Sequence, residues 1–383
     1  MAGARDEEQY RRQIAAGLDR AFERAPVEEL DPATARLVIF SDHHRGAGDQ
    51  ADDFRRCEHA YTAALGWYLK QGYRLALLGD VEELWEETPE RALDQYRAVL
   101  SLEARFRTEA GGLLRFWGNH DDLWRHPRKV HTRLAPVLRG ELTVHEGLRL
   151  RIRRPGAPEA TLFLVHGHQG TADSDRFGWL SRAFVRWAWR PLQRKTGYSA
   201  TTPARGHDLR ARHDSAMFAW AEARQPGVVL IAGHTHRPVF GESTPAPPPA
   251  RPIETLERRL ADAERAGDRD AAAALSSELE YARTARRRPD EAVRVTPPCY
   301  FNTGCCSFPD GDVTGLEIAD GELRLVRWPA DLRELRPEHD GDVTVGDRVL
   351  ARIALDELLD LVTAPPAGRF AEIAEERVAP RER

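Results

Sequence analysis

The sequence is short of lysine, cysteine and long apolar runs, and each shortage excludes a class of protein. Lys70, Lys129 and Lys195 are the only lysines among 56 basic residues, and the formal net charge is −5. That balance argues against a protein that holds nucleic acid by bulk electrostatics. The four cysteines, Cys57, Cys299, Cys305 and Cys306, form neither a C-x-x-C pair nor a secreted disulfide spacing, so reduced, packed thiols are expected. No apolar run reaches the ~18 residues of a membrane helix. The opening MAGARDEEQYRRQ is charged where a signal peptide would be apolar, and a soluble, cytoplasmic chain is expected. What is present is 383 residues with 41% hydrophobic content, enough for one large catalytic domain with additions.

One pattern recurs five times: a short apolar run, then an abrupt cluster of Asp, Asn, Glu or His, usually beside glycine. The instances are RLVIFSDHH (Asp42, His43, His44), YRLALLGDVEELW (Asp80, Glu82, Glu83), LLRFWGNHDD (Asn119, His120, Asp121, Asp122), ATLFLVHGHQG (His166, His168) and GVVLIAGHTH (His234, His236). The runs are too short for helices and too apolar for half-exposed strands, which predicts buried strands. Ligands of open α/β sheets sit beyond the carboxyl ends of the strands, so the clusters are expected to converge on one edge of one sheet. The converging side chains offer imidazole nitrogens and hard oxygens suited to divalent cations. They are too many for one ion and invite a pair about 3.5 to 4 Å apart, with Asp80 as the shared carboxylate. A single histidine at a strand end is usually structural, but seven of the 14 histidines fall in these clusters.

In this order the blocks D-x-H, G-D-x-x-[DE], G-N-H-[DE], H-G and G-H-x-H resemble the calcineurin-like metallophosphoesterase superfamily, over residues 36–240 and again in CYFNTGCCSFPDGDVTGLEIADGELRLVRW. The resemblance implies an α/β fold, the four-layer αββα sandwich of the metallophosphoesterase type, and two divalent metal ions. Manganese is the first expectation, with Fe, Zn, Co or Ni also compatible. It implies Asp42, His44, Asp80 and His236 around the first ion, and Asp80, Asn119, His166 and His234 around the second. His120 would face the substrate, oriented by Asp121. His43 occupies the variable place of D-x-H and is not expected to bind metal. His168 is a supporting or substrate-contact candidate, and Glu83 is expected to support the site without binding an ion. Two such cations would supply a bridging hydroxide near neutral pH and neutralise phosphoryl oxygens during in-line attack.

The implied substrate is a phosphorylated small molecule, a phosphodiester or a pyrophosphate. GDVEELW and the segment inserted after H-G are similar to the branch that contains the UDP-2,3-diacylglucosamine pyrophosphohydrolases, but GNHD stands here where those enzymes commonly have G-N-R-D. A nuclease of the same superfamily is the alternative, although the longest basic cluster, RTARRRP at 283–289, sits on an insertion. A metal-free scaffold is the third reading, and it is disfavoured because every expected ligand position is filled. Within FGWLSRAFVRWAWRPLQRKTGYS, Phe177, Leu180, Phe184 and Trp187 fall on one helical face and Arg182, Arg186 and Arg190 on another. Such a helix either packs on the sheet or caps the site; as a cap, Arg182 and Arg186 would hold a second phosphate and the aromatics would stack a base or meet a lipid tail.

Four regions are expected. Residues 1–30 carry an N-terminal helix with Tyr10, Ile14, Leu18 and Phe22 at four-residue steps. Residues 31–243 and 293–330 form the catalytic domain, with Asn302 and Gly304 at a strand end near the site. Residues 244–292 hold the proline-rich TPAPPPARP and an inserted helical hairpin, broken at Gly267 with Asp268 and Asp270 as caps, whose Leu256 and Leu260 either seal the hairpin or pair two copies as a homodimer. Residues 331–383 form a C-terminal extension in which VLARIALDELLDLV reads as a docked helix.

Overall fold

The computed structural model describes residues 2–171, 203–241, 253–266, 272, 275–276, 279, 298–335 and 348–364. In chain order these supply helix α1 (Ala2–Arg24), strands β1 (Val27–Glu29) and β2 (Leu37–Phe40), α2 (Glu58–Lys70), β3 (Arg74–Leu78), α3 (Pro89–Gln95), α4 (Arg97–Glu109), β4 (Leu113–Phe116), β5 (Val144–His145), β6 (Gly147–Ile152) and β7 (Ala160–Val165). There follow α5 (Pro203–Ala223), β8 (Val228–Ala232), β9 (Pro238–Phe240), α6 (Ile253–Ala266), β10 (Tyr300–Thr303), β11 (Val313–Ala319), β12 (Glu322–Trp328), β13 (Val349–Ala354) and α7 (Leu355–Thr363).

The strands form two sheets, ordered β1-β6-β7-β8-β10-β9 and β13-β12-β11-β2-β3-β4-β5. Side chains alternate across each strand, and the alternation assigns the layers. From β2 and β3, Leu37, Ile39, Ala76 and Leu78 enter one core with Leu162 and Leu164 of β7, between the sheets. Their neighbours Val38, Phe40, Leu75 and Leu77 face the other way, onto Tyr61, Leu65 and Tyr68 of α2 and Val99 and Phe106 of α4. On the far sheet, Phe163 of β7 packs edge-on against Phe22 of α1 and beside Trp220 of α5. Helices, sheet, sheet and helices therefore stack in that order, the αββα sandwich expected from the sequence.

Two expectations need correction. The five ligand-bearing runs are strands, but they are divided between the sheets: β2, β3 and β4 lie parallel in one, β7 and β8 parallel in the other. The clusters thus meet where two sheet edges face each other, because a run buried on both sides carries no mark of which sheet it joins. VLARIALDELLDLV is only half helical, since β13 pairs with β12 before the chain enters α7. Leu355, Leu358, Leu359 and Val362 of α7 then join the inter-sheet core. In the inserted hairpin, Leu256 packs with Leu275 and Leu279, and Leu260 rests against them. Among the described residues, no helix is long and apolar enough to cross a membrane.

Candidate metal centre

Each cluster begins one to three residues past its strand, and the backbone at several of these positions is unusual. Asp42, His44, Asp80, His234 and His236 all have φ between 50° and 70°, the left-handed region that non-glycine residues avoid. Only two other described non-glycine residues, Arg139 and Asp320, share it. Backbone hydrogen bonds between loops hold this conformation: Asp42 N–H donates to Gly79 O (3.1 Å), His44 N–H to Asp80 O (3.0 Å) and Gly233 N–H to His166 O (2.9 Å). Strain of this kind collects where geometry serves a function.

The side chains converge in three groups: Asp42, His44 and His236 form the first, Asp80, His166 and His234 the second, and His44, Glu83 and His120 a third, the potential ligand atoms of each group lying within 4.8 Å of one another. In the first, His236 Nε2 lies 3.2 Å from His44 Nε2 and 3.4 Å from Asp42 Oδ1. In the second, His166 Nε2 lies 3.1 Å from Asp80 Oδ2. The same Asp80 oxygen is 4.0 Å from His44 Nε2, so Asp80 stands between the first two groups.

Surrounding groups engage one atom of several ligand candidates and leave the other turned to the site. His166 Nδ1 is 2.9 Å from the Leu78 carbonyl, which can only accept, so Nδ1 bears a proton and Nε2 is the nitrogen turned to the site. Asp42 Oδ2 accepts from the Ser41 hydroxyl and from His234 N–H (2.9 Å), and Asp80 Oδ1 from His120 N–H (2.8 Å). Asp42 Oδ1 and Asn119 Oδ1 are buried without a hydrogen-bond partner, and His166 Nε2 faces only Asp80 Oδ2 at 3.1 Å. Orphaned buried acceptors converging in this way fit a cation. The field fits as well. Burial alone lowers an imidazole, but Glu83, Asp80 and Asp42 raise His44 to about 10, and Asp80 and Asp42 raise His166 to about 9. Positive charge is therefore favoured where the groups meet.

His120 stands at the open side, its side chain 25% exposed. The expected partner, Asp121, does not touch it. Asp121 turns inward and accepts from the backbone N–H groups of Gly118 (2.6 Å), Val81 (2.9 Å) and Asp80 (3.3 Å). Glu83 takes the role expected of Asp121, with Oε1 2.9 Å and Oε2 2.7 Å from His120 Nδ1, and Oε2 also 2.8 Å from His44 Nδ1. Burial would raise Glu83, but His120 and His44 hold it down at about 2, so it stays a carboxylate. Trp85 stacks on the His120 ring at 4.2 Å and donates its indole N–H to the Asn119 carbonyl (2.6 Å).

His43, 0% exposed, points away among Phe54 and Tyr61. His168 is buried, its ring beside those of Trp117 and His166. Arg182 and Arg186 lie outside the described residues. Asn302 does reach the site's support: its side-chain amide donates to Gly233 O (2.7 Å), fixing the loop before His234. Cys305 and Cys306 are buried free thiols.

Sequence reasoning missed two neighbours on α5. His213 Nε2 donates to Gly167 O (2.7 Å), between His166 and His168, and Asp214 Oδ1 accepts from Thr235 (2.9 Å) and Tyr300 (2.8 Å), between His234 and His236. Their only sign in the sequence is an uncompensated polar pair before the apolar AMFAWA, which reads equally well as solvent-facing.

No protein-family model matches the sequence, and no curated protein matches it. Among solved structures, the chain is similar to a conserved protein of Streptococcus pneumoniae TIGR4 described as a predicted phosphoesterase, at 11% identity over 84% of this chain and 97% of that one, with a TM-score of 0.26. It is also similar to a dimetal phosphatase of Danio rerio, at 11% identity over 78% of this chain and 97% of that one, with a TM-score of 0.34.

Proposed function

We propose that this chain is a dinuclear metal-dependent phosphoester hydrolase of the calcineurin-like metallophosphoesterase superfamily. The observation that carries the reading is Asp80 Oδ2, 3.1 Å from His166 Nε2 and 4.0 Å from His44 Nε2, poised between two ligand groups. Asp42, His44, Asp80 and His236 would hold one ion, and Asp80, Asn119, His166 and His234 the other. Divalent cations bound there supply Lewis acidity, which makes a water nucleophilic near neutral pH and offsets charge on a phosphoryl group.

The chain's own residues supply the rest. His120 is fixed by Glu83 on one side and by the Trp85 ring on its face, so its Nε2 has a defined direction. Burial lowers its pKa, but Glu83 and Asp80 outweigh that and raise it. An imidazolium in that place can donate to a phosphoryl oxygen or protonate the leaving group. A phosphodiester or a pyrophosphate-containing small molecule is the proposed substrate class. His120 stands where UDP-2,3-diacylglucosamine pyrophosphohydrolases commonly have arginine, which supports a reading of the chain as a neighbour of that branch and not a member of it. The donor set suits Mn, Fe, Zn, Co or Ni, and manganese is the first to assay. Four free, buried cysteines fit a reducing compartment such as the cytoplasm.

The test is a hydrolysis screen of the metal-stripped, reloaded chain over phosphomonoesters, phosphodiesters, and nucleotide-sugar and dinucleotide pyrophosphates, with Asp80→Ala as blank. Metal-dependent turnover of a diester or pyrophosphate is expected. Turnover no higher than the blank in every class would remove the hydrolase reading.

A further inference from the structure

Helix α1 is remote in sequence from every ligand motif, yet its backbone touches the loop that carries His166. A Cβ placed on Gly17 would lie 2.5 Å from the Gly170 amide nitrogen and 2.6 Å from the Gln169 carbonyl carbon. One placed on Gly170 would lie 2.8 Å from the Cα of Ile14. Neither is a distance that a carbon atom tolerates, so α1 and the 166–170 loop meet backbone to backbone. Ile14 and Leu18, both 0% exposed, fasten the same helix face to the core. The helix cannot shift without moving the loop.

Side chains make a second link. The Gly167 carbonyl only accepts, so His213 Nε2, 2.7 Å away, bears the proton. Nδ1 is then the acceptor, and the Tyr10 hydroxyl, 2.6 Å away, donates to it. The Arg212 guanidinium lies 4.0 Å over the Tyr10 ring and bonds Glu7 (2.5 Å), which ties this end of α1 to α5. The His213 ring meets His234 edge-on, with centroids 5.0 Å apart. One imidazole thus fixes the carbonyl that follows His166 and supports the flank of His234, and a residue of α1 fixes the imidazole.

We propose that α1 is a working part of the metal centre, with Tyr10 acting through His213 as a positioning residue for His166 and His234 at the second ion. The proposal rests on the dinuclear reading above. Groups that hold a ligating histidine from behind commonly change metal affinity by about 10- to 100-fold. A helix that merely covered the sheet would alter melting and would not distinguish one ion from the other.

The metal-free full chain is titrated with Co²⁺ by calorimetry, with bound cobalt counted by elemental analysis and the fold checked by circular dichroism. The wild type is expected to bind in two steps, and the step abolished in His166→Ala identifies the second ion. Tyr10→Phe, which keeps the ring and loses the hydroxyl, is expected to weaken that step by about 10-fold or more and leave the other unchanged. His213→Gln, whose amide can still donate to Gly167, should lie closer to the wild type than His213→Leu. Arg12→Ala, on the exposed side of α1, should bind as the wild type does. Unchanged steps in Tyr10→Phe overturn the proposal even if His213→Leu does not fold, and so does equal weakening of both steps. A wild type that takes up fewer than two ions overturns the dinuclear reading itself, and this proposal with it.

Discussion

Glu83 holds two imidazoles: both of its oxygens lie within 2.9 Å of His120 Nδ1 at the open side, and Oε2 is also 2.8 Å from His44 Nδ1 in the first ligand group. Three substitutions separate the duties around it. His120→Ala is expected to lower turnover by about 10²- to 10⁴-fold with both ions retained. Glu83→Ala should lower turnover and also weaken the first ion by about 10- to 100-fold, because His44 loses the group that fixes its tautomer. Asp121→Ala leaves three buried N–H groups without their acceptor and should fall mainly on stability, by about 1–3 kcal/mol. Steady-state kinetics, metal analysis and denaturation of the three variants check this; wild-type turnover in Glu83→Ala would count against its role. The sequence made most of these residues legible, because acids and histidines at the ends of short apolar runs are costly to bury and rarely serve packing alone. It misled on Asp121, since neighbours in a chain need not face the same way. Past Asn119, His120 turns to the open side and Asp121 turns into the backbone.

At the scale of strands and loops, the glycines of the motifs are required by close approach. A Cβ on Gly118 would land on Asp80 Oδ1, and one on Gly233 would lie 2.6 Å from Asp42 Oδ2. Gly118 and Gly233 each make room for a carboxylate delivered by another strand, and Gly79 makes room for the His166 ring. Gly66, inside α2, has nothing within 4 Å of the corresponding position. Gly118→Ala is therefore expected to displace Asp80 and abolish tight metal binding, whereas Gly66→Ala should stabilise the fold by about 0.5–1 kcal/mol through helix propensity. Calorimetric metal titration and urea denaturation measure the two effects, and tight binding by Gly118→Ala would refute the packing argument. The strands were legible as elements but not as partners. Strand β2 and strand β8 read alike, and only contacts distant in sequence assign them to different sheets. In VLARIALDELLDLV the pattern permits helix throughout, and pairing of Val349–Ala354 with β12 overrides it.

For the molecule as a whole, three ligand-bearing loops leave one sheet and two leave the other, so a bound cation ties together the two halves of the sandwich. An ion that binds only the folded chain stabilises it by about 2.7 kcal/mol per site at a hundredfold excess over Kd. Chelation is accordingly expected to lower the urea midpoint while leaving the far-ultraviolet dichroism of the folded form unchanged, and an unshifted midpoint would argue against ions that span the sheets. His213 and Asp214 belong to this scale too. They each reach a different histidine loop from one helix, an arrangement that no local pattern in the sequence announces. The left-handed turns at Asp42 and His44, and the residue before His234, are tied by hydrogen bonds of the chain's own amides and carbonyls. A molecule emptied by a chelator is on this account dormant and not damaged: it keeps the mould of its ions and can be refilled without folding again.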